Sequence, residues 1–130
     1  MSPDGLPGTS TAISNPSGAY PDSSGGLLFS DTGNGALRLY NGSAGGVIST
    51  LTGTLGVTGT TGSLLKAPRS VRPYRGGWLI TDFGANAVRL LLPNGTLLTS
   101  VGLLGTSGST GDGGLGALTS PRSKVNVRCD

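Results

Sequence analysis

Residues 15–40 read NPSGAYPDSSGGLLFSDTGNGALRLY, residues 68–91 read PRSVRPYRGGWLITDFGANAVRLL, and residues 121–127 begin again with PRSKVNV. The landmarks recur together. Pro16, Pro68 and Pro121 are 52 and 53 apart, Pro21 and Pro73 are 52 apart, and Asp31/Asp82 and Arg38/Arg89 are each 51 apart. Composition alone does not set three residue types on one spacing. A period near 50 carried by short apolar runs points to β-propeller blades or a similar β array.

Within a copy the punctuation is that of an antiparallel sheet. Gly25-Gly26 precedes the run Leu27–Asp31, Asn34-Gly35 separates it from Ala36–Tyr40, and Asn41-Gly42 marks a turn before Gly46–Leu51. Asn-Gly between two such runs is a strong hairpin signal, because a type I′ turn needs positive φ at both central residues. The second copy repeats the order with Gly76-Gly77, Trp78–Asp82, Ala85-Asn86, Ala87–Leu92, Asn94-Gly95 and Thr96–Val101. A short strand after each landmark proline completes a four-stranded unit. Pro21 and Pro73 then fall in that first strand, which suits an edge, since proline donates nothing to a ladder. No stretch sustains a 3.6-residue apolar period, so no helix of consequence is expected. The fold class is therefore all-β, in four-stranded antiparallel blades.

Composition limits the core. Hydrophobic residues make 35% of the 130 and aromatics 5%, while glycine and proline together make 33. That share approaches a disordered composition, and the regular spacing of the apolar runs argues against disorder. The net charge of +3 is too small to imply nucleic acid by itself. There is no His or Glu, and the single Cys129 leaves no intrachain disulfide and says nothing of the compartment. The segment MSPDGLPGTS shows neither a basic n-region nor an apolar h-region, so no signal peptide is expected. No apolar run approaches the roughly 20 residues of a membrane helix.

The repeated line resembles the NHL repeat, a propeller blade unit with the elements Pro-x-Gly-Val-Ala-Val-Asp, Gly-Asn-x-Tyr-Val-Ala-Asp and Thr-Gly-Asn-Asn-Arg-Ile-Arg. Pro16, Gly18 and Asp22 match the first element, and Gly25, Asp31, Thr32, Gly33, Asn34 and Arg38 match the rest. In the second copy Pro68, Val71, Asp82, Gly84, Asn86, Val88 and Arg89 match, with Ser70 in place of the usual glycine and Tyr74 in place of the usual aspartate. Gly111-Asp112-Gly113-Gly114 is similar to the connector before many such repeats. Lys124 stands where a valine is usual in the third copy. The resemblance implies an incomplete NHL-type propeller: an extended or disordered segment 1–14, one blade at 15–66, a second with its Gly-rich connector at 67–119, and the first strand of a third repeat at 120–130.

The sharpest constellation is Asp31/Arg38 with Asp82/Arg89. A two-residue turn centred on Asn34-Gly35 pairs position i with 69 − i and sets Asp31 opposite Arg38. A turn centred on Ala85-Asn86 sets Asp82 opposite Arg89 in the same way. Such cross-strand ion pairs would pin register and, half-exposed, contribute about 0.2–1 kcal/mol each. A catalytic role would need a second titratable group beside each carboxylate, and the sequence supplies none.

The aspartates are scattered, so neither a metal site nor a cofactor is expected; Asp112 alone is far short of the six to eight oxygens that calcium takes. The glycine-rich stretches at 53–56 and 102–105 lack the Gly-Lys-Ser/Thr ending of a phosphate loop. Asn41-Gly42-Ser43 and Asn94-Gly95-Thr96 satisfy the glycosylation sequon at equivalent turns, where asparagine also serves turn chemistry. Arg69, Arg72, Tyr74 and Arg75, with Arg122 and Lys124, follow the landmark prolines and form a candidate binding face. The resemblance implies phosphate contacts for such a face in some NHL propellers, but aromatics for base stacking are few. Trp78 aligns with Leu27 and is expected between blades.

The function expected from these residues is a non-enzymatic protein-interaction module. The alternatives are a fragment of a propeller hydrolase or lyase, and a truncated gene product with no independent function. RNA binding through the arginine face is weaker. Two blades cover each other on one side, leaving faces with Leu28, Leu37, Leu79 and Val88 toward water. Repeat arrays generally need at least three units, so the chain alone is expected either to fold poorly or to complete a ring by self-association, three copies supplying six blades.

Overall fold

The computed structural model describes residues 3–108. Eight strands run through them in two up-and-down antiparallel sheets. The first sheet holds β1 (Pro16–Pro21), β2 (Leu27–Asp31), β3 (Ala36–Tyr40) and β4 (Ile48–Gly53). The second holds β5 (Pro68–Tyr74), β6 (Gly77–Asp82), β7 (Ala87–Leu91) and β8 (Leu97–Val101). Helical structure is confined to three-residue 3-10 turns at Gly8–Ser10, Thr32–Asn34 and Phe83–Ala85. The connector around Asp112, the strand at 121–127, Arg122 and Lys124 lie outside the described residues.

Strand pairings follow the repeat, and both prolines Pro21 and Pro73 sit in the first strand, at a sheet edge. Register differs from the two-residue-turn expectation. Asp31 pairs with Ala36 and Phe29 with Arg38, and likewise Asp82 pairs with Ala87 and Ile80 with Arg89. The connections are four residues long, a 3-10 turn followed by a left-handed residue: Gly35 at φ 63° or Asn86 at φ 55°. Four-residue hairpin loops built on such a turn are a common alternative to the type I′ turn. The aspartate and arginine therefore stand diagonally on one face rather than directly opposite.

The two sheets repeat each other down to their irregularities. Both shift register between the landmark proline and the residue two beyond it (Pro16/Gly18, Pro68/Ser70), and both shift again at Leu37/Arg38 or Val88/Arg89. Within segment 1–14, expected to be disordered or extended, residues 4–8 lie against the outer edge of β4 and the turn before it: the Gly5 N–H donates to Ile48 O at 2.9 Å, the Ile48 N–H to Leu6 O at 3.2 Å, and Pro7 bridges Val47.

Side-chain alternation gives each sheet two faces. One face of the first sheet carries Tyr20, Leu28, Ser30, Leu37 and Leu39, and it packs on the face of the second that carries Val71, Trp78, Ile80, Leu91 and Leu97. Leu28 and Leu37 are completely buried there, which corrects the expectation that they meet water; Leu79 and Val88 remain half-buried on the far face of the second sheet. Burying each leucine contributes about 1.5–3 kcal/mol. Trp78 packs edge-on to Tyr20 across the junction, ring centroids 5.8 Å apart.

Hydroxyls of the first sheet cap the free carbonyls of edge strand β5. Ser30 Oγ donates to Arg69 O at 2.9 Å, Ser17 Oγ donates to the same oxygen at 3.2 Å, and Thr32 Oγ1 donates to Pro68 O. Such close approach needs Gly18, whose Cβ, if present, would stand 2.2 Å from Arg69 O. Backbone cannot yield there. Gly18→Ala is accordingly expected to lower the unfolding free energy by about 1–3 kcal/mol, whereas Ser70→Gly at the equivalent outer position should shift it by less than about 1 kcal/mol; urea titration of both variants measures the difference, and equal effects would contradict the packing described.

Candidate functional site

The buried charges gather at the end of the second strand of each sheet. Asp31 is completely buried, and its carboxylate accepts the Ser14 N–H at 2.7 Å, the Asn34 Nδ2 at 2.9 and 3.0 Å, and Arg38 Nη1 at 3.1 Å. Arg38, also completely buried, gives Nη2 to Asp4 Oδ1 at 3.2 Å. Asp4 in turn accepts the Thr50 N–H at 2.8 Å and its hydroxyl at 2.9 Å. The carboxylate thus ties the incoming connector, its own hairpin loop and the third strand at one point.

Asp82 occupies the same place in the second sheet. It accepts the Lys66 N–H at 3.0 and 3.1 Å and the Ala67 N–H at 2.9 Å, with Arg89 Nη1 3.7 Å away. Arg89 donates instead to the carbonyls of Leu64 and Gly62, both at 3.3 Å. Burial pushes its pKa below the ordinary arginine value, and the charge of Asp82 opposes that shift. The Nε atoms of Arg38 and Arg89 are both buried without a hydrogen-bond partner.

These pairs are buried, not half-exposed, and this reverses the energetic reading. Removing one partner strands a charge in the interior, which costs several kcal/mol. The sequence pointed to the four charged residues but not to Ser14, Lys66 and Ala67, whose contribution is a backbone N–H that leaves no mark on residue type. Position was the available signal: Ser14 and Lys66 each lie two residues before the landmark proline.

The candidate binding face takes a different form from the one expected. Arg69 stacks over Phe83 at 3.6 Å, Arg72 lies 6.0 Å from the Tyr20 ring centroid, and Arg75 lies 5.3 Å from that of Tyr74. Each guanidinium is parked on an aromatic ring, an arrangement worth about 0.5–1 kcal/mol at exposed sites. The equivalent positions in the first sheet are Ser17, Tyr20 and Ser23, so among the described residues this basic character belongs to β5 and the turn that follows it.

On the outer face of the first sheet an apolar groove of about 500 Å³ opens between the N-terminal segment and the strands, lined chiefly by Ile13, Ala19, Leu27, Phe29, Tyr40 and Ile48. Among the described residues no three His, Cys, Asp or Glu side chains are grouped to hold a metal ion, and no helix is long and apolar enough to cross a membrane. Neither protein-family models nor curated proteins give a match to the sequence.

Two outcomes are expected. Asp31→Ala and Asp82→Ala should each lower the unfolding free energy by about 3–5 kcal/mol, measured by urea titration; losses below about 1 kcal/mol would contradict the clasp. At the β1–β2 turn, the Ser24 hydroxyl and then the Gly26 N–H hold the Asp22 carboxyl below its ordinary value of 3.8. A lowered folded pKa means that the turn's contribution is complete above the unfolded value and is lost as pH falls through the folded one. The Ser24 and Gly26 amide NMR shifts should therefore titrate with a midpoint below 3.8; a midpoint at or above it would contradict these bonds.

Proposed function

We propose that this chain is a non-enzymatic, NHL-type pair of propeller blades that acts as a protein-interaction module. One observation carries the reading: the buried carboxylates are already engaged by structural partners, while among the described residues the apolar groove between the N-terminal segment and the first sheet stays open beside exposed Ile13 and Ala19. A carboxylate that accepts two backbone N–H groups and faces a buried guanidinium has neither the free lone pairs of a metal ligand nor the access of a general base. The groove, by contrast, is concave, apolar and rimmed by backbone turns, the form of a surface that receives another protein. The aromatic stacking of Arg69, Arg72 and Arg75 suits a packed edge better than a base-stacking platform.

The test pairs a binding readout with a catalytic one. A photo-crosslinking residue at Ile13 in the groove, compared with one at Ser23 on the β1–β2 turn, is expected to form protein adducts at the groove position alone in cells expressing the chain. Adducts at neither position, together with metal-dependent hydrolysis of a lactone that disappears in Asp82→Asn, would overturn the proposal in favour of a fragment of a propeller hydrolase.

A further inference from the structure

We infer that the groove face of the first sheet receives the outer face of the second sheet of another copy of this chain, head to tail, in the geometry by which the chain packs its own two sheets. The inference rests on the interaction-module reading and names the partner of that same groove.

The internal junction serves as the template. Its receiving side is built from Leu65, Val71, Ile80 and Leu91, which are 0%, 0%, 0% and 2% exposed. The residues one repeat earlier are Ile13, Ala19, Phe29 and Tyr40, and all four line the groove. Ile13, the counterpart of the completely buried Leu65, is 43% exposed, Ala19 is exposed and Tyr40 half-buried, while Phe29 is covered to 6%. The inserting side shows the same asymmetry. Leu28 and Leu37 are completely buried, whereas Leu79 and Val88, one repeat later, stay half-buried on the far face of the second sheet; Leu90, the counterpart of half-buried Leu39, runs the other way at 6% exposed. The described residues thus carry one fully packed copy and one incompletely covered copy of each half of a single interface.

Polar detail is repeated as well. Thr81 keeps a hydroxyl where Ser30 donates to Arg69 O across the internal junction. Thr81 Oγ1 instead meets Ser70 Oγ at 2.9 Å on its own sheet. Ser70 is also where the repeat departs from Gly18, the residue that lets the strands approach. A junction between copies is therefore held farther apart at that point than the internal one. Because the two surfaces differ, the contact is heterologous, and it propagates into a ring or an open array according to whether the rotation closes.

The experiment uses the full chain and two variants at exposed or half-exposed positions, Ile13→Glu and Leu79→Glu, with sedimentation velocity across micromolar concentrations and thermal unfolding as the folding control. The unaltered chain is expected to sediment at multiples of 12.8 kDa. Each variant alone, with one half of the interface spoiled, should be monomeric and folded, with self-affinity reduced at least about tenfold. Mixed together, they retain one good junction and should form a one-to-one dimer that grows no further. Ser70→Gly, which recreates the Gly18 approach, should tighten self-association. A monomeric unaltered chain, a mixture that stays monomeric, a response to only one of the two substitutions, or no tightening in Ser70→Gly each overturns the inference. A monomeric chain that still gives protein adducts at Ile13 overturns it while leaving the interaction-module reading in place.

Discussion

The aspartate that closes the second strand of each sheet is the fixed point of this molecule. Asp82 draws the backbone of Lys66 and Ala67 toward the hairpin loop, and this places Leu65 beneath the second sheet as part of the core. Leu65 then packs with Leu28 and Leu37 of the first sheet. A buried charge thereby determines where an apolar side chain goes. A carboxylate in the interior is tolerated only when its lone pairs are filled: the Lys66 and Ala67 N–H groups fill those of Asp82 with Arg89 3.7 Å away, and the Ser14 N–H, Asn34 and Arg38 fill those of Asp31. The same requirement limits the connector on one side, because a shift of one residue toward Pro68, which has no N–H, would cost Asp82 a donor.

The second constraint is that a four-stranded sheet has two faces to cover. In the described residues one face of each sheet finds the other, and hydroxyls of Ser17, Ser30 and Thr32 satisfy the carbonyls at the start of β5. The remaining faces are not alike. The first is a groove with Asp4, Arg38 and Thr50 tied together beside it, and the second carries Leu79, Thr81, Val88 and Leu90 with a smaller cleft of about 250 Å³ beside Thr81, Val88 and Val101. The two faces are complementary because every unit of a repeat array is built both to receive and to insert the same contact.

Much of this was legible in the sequence. The 51- and 52-residue spacings located both sheets, and glycine pairs such as Gly25-Gly26 bounded the strands. Register was not legible, because Asn34-Gly35 matches the signature of a two-residue turn while the backbone uses Gly35 as the last residue of a four-residue loop. Facing was not legible either, since Leu27, Leu28 and Phe29 are consecutive apolar residues and alternation offers no way to tell inward from outward. The charged residues were found, but their partners on the connector were not. A backbone N–H is common to every residue except proline, and only the folded chain shows which one a carboxylate has taken.

Amide hydrogen exchange at Lys66 and Ala67 tests the clasp most directly. Both residues lie in a connector outside the strands, where exchange is ordinarily fast. If Asp82 holds them as described, their amides should exchange as slowly as that of Ile80 at the centre of the core. Exchange at the rate of the exposed connector residue Gly62 would show that the carboxylate does not hold the chain there, and the account of how the two sheets are joined would fail with it.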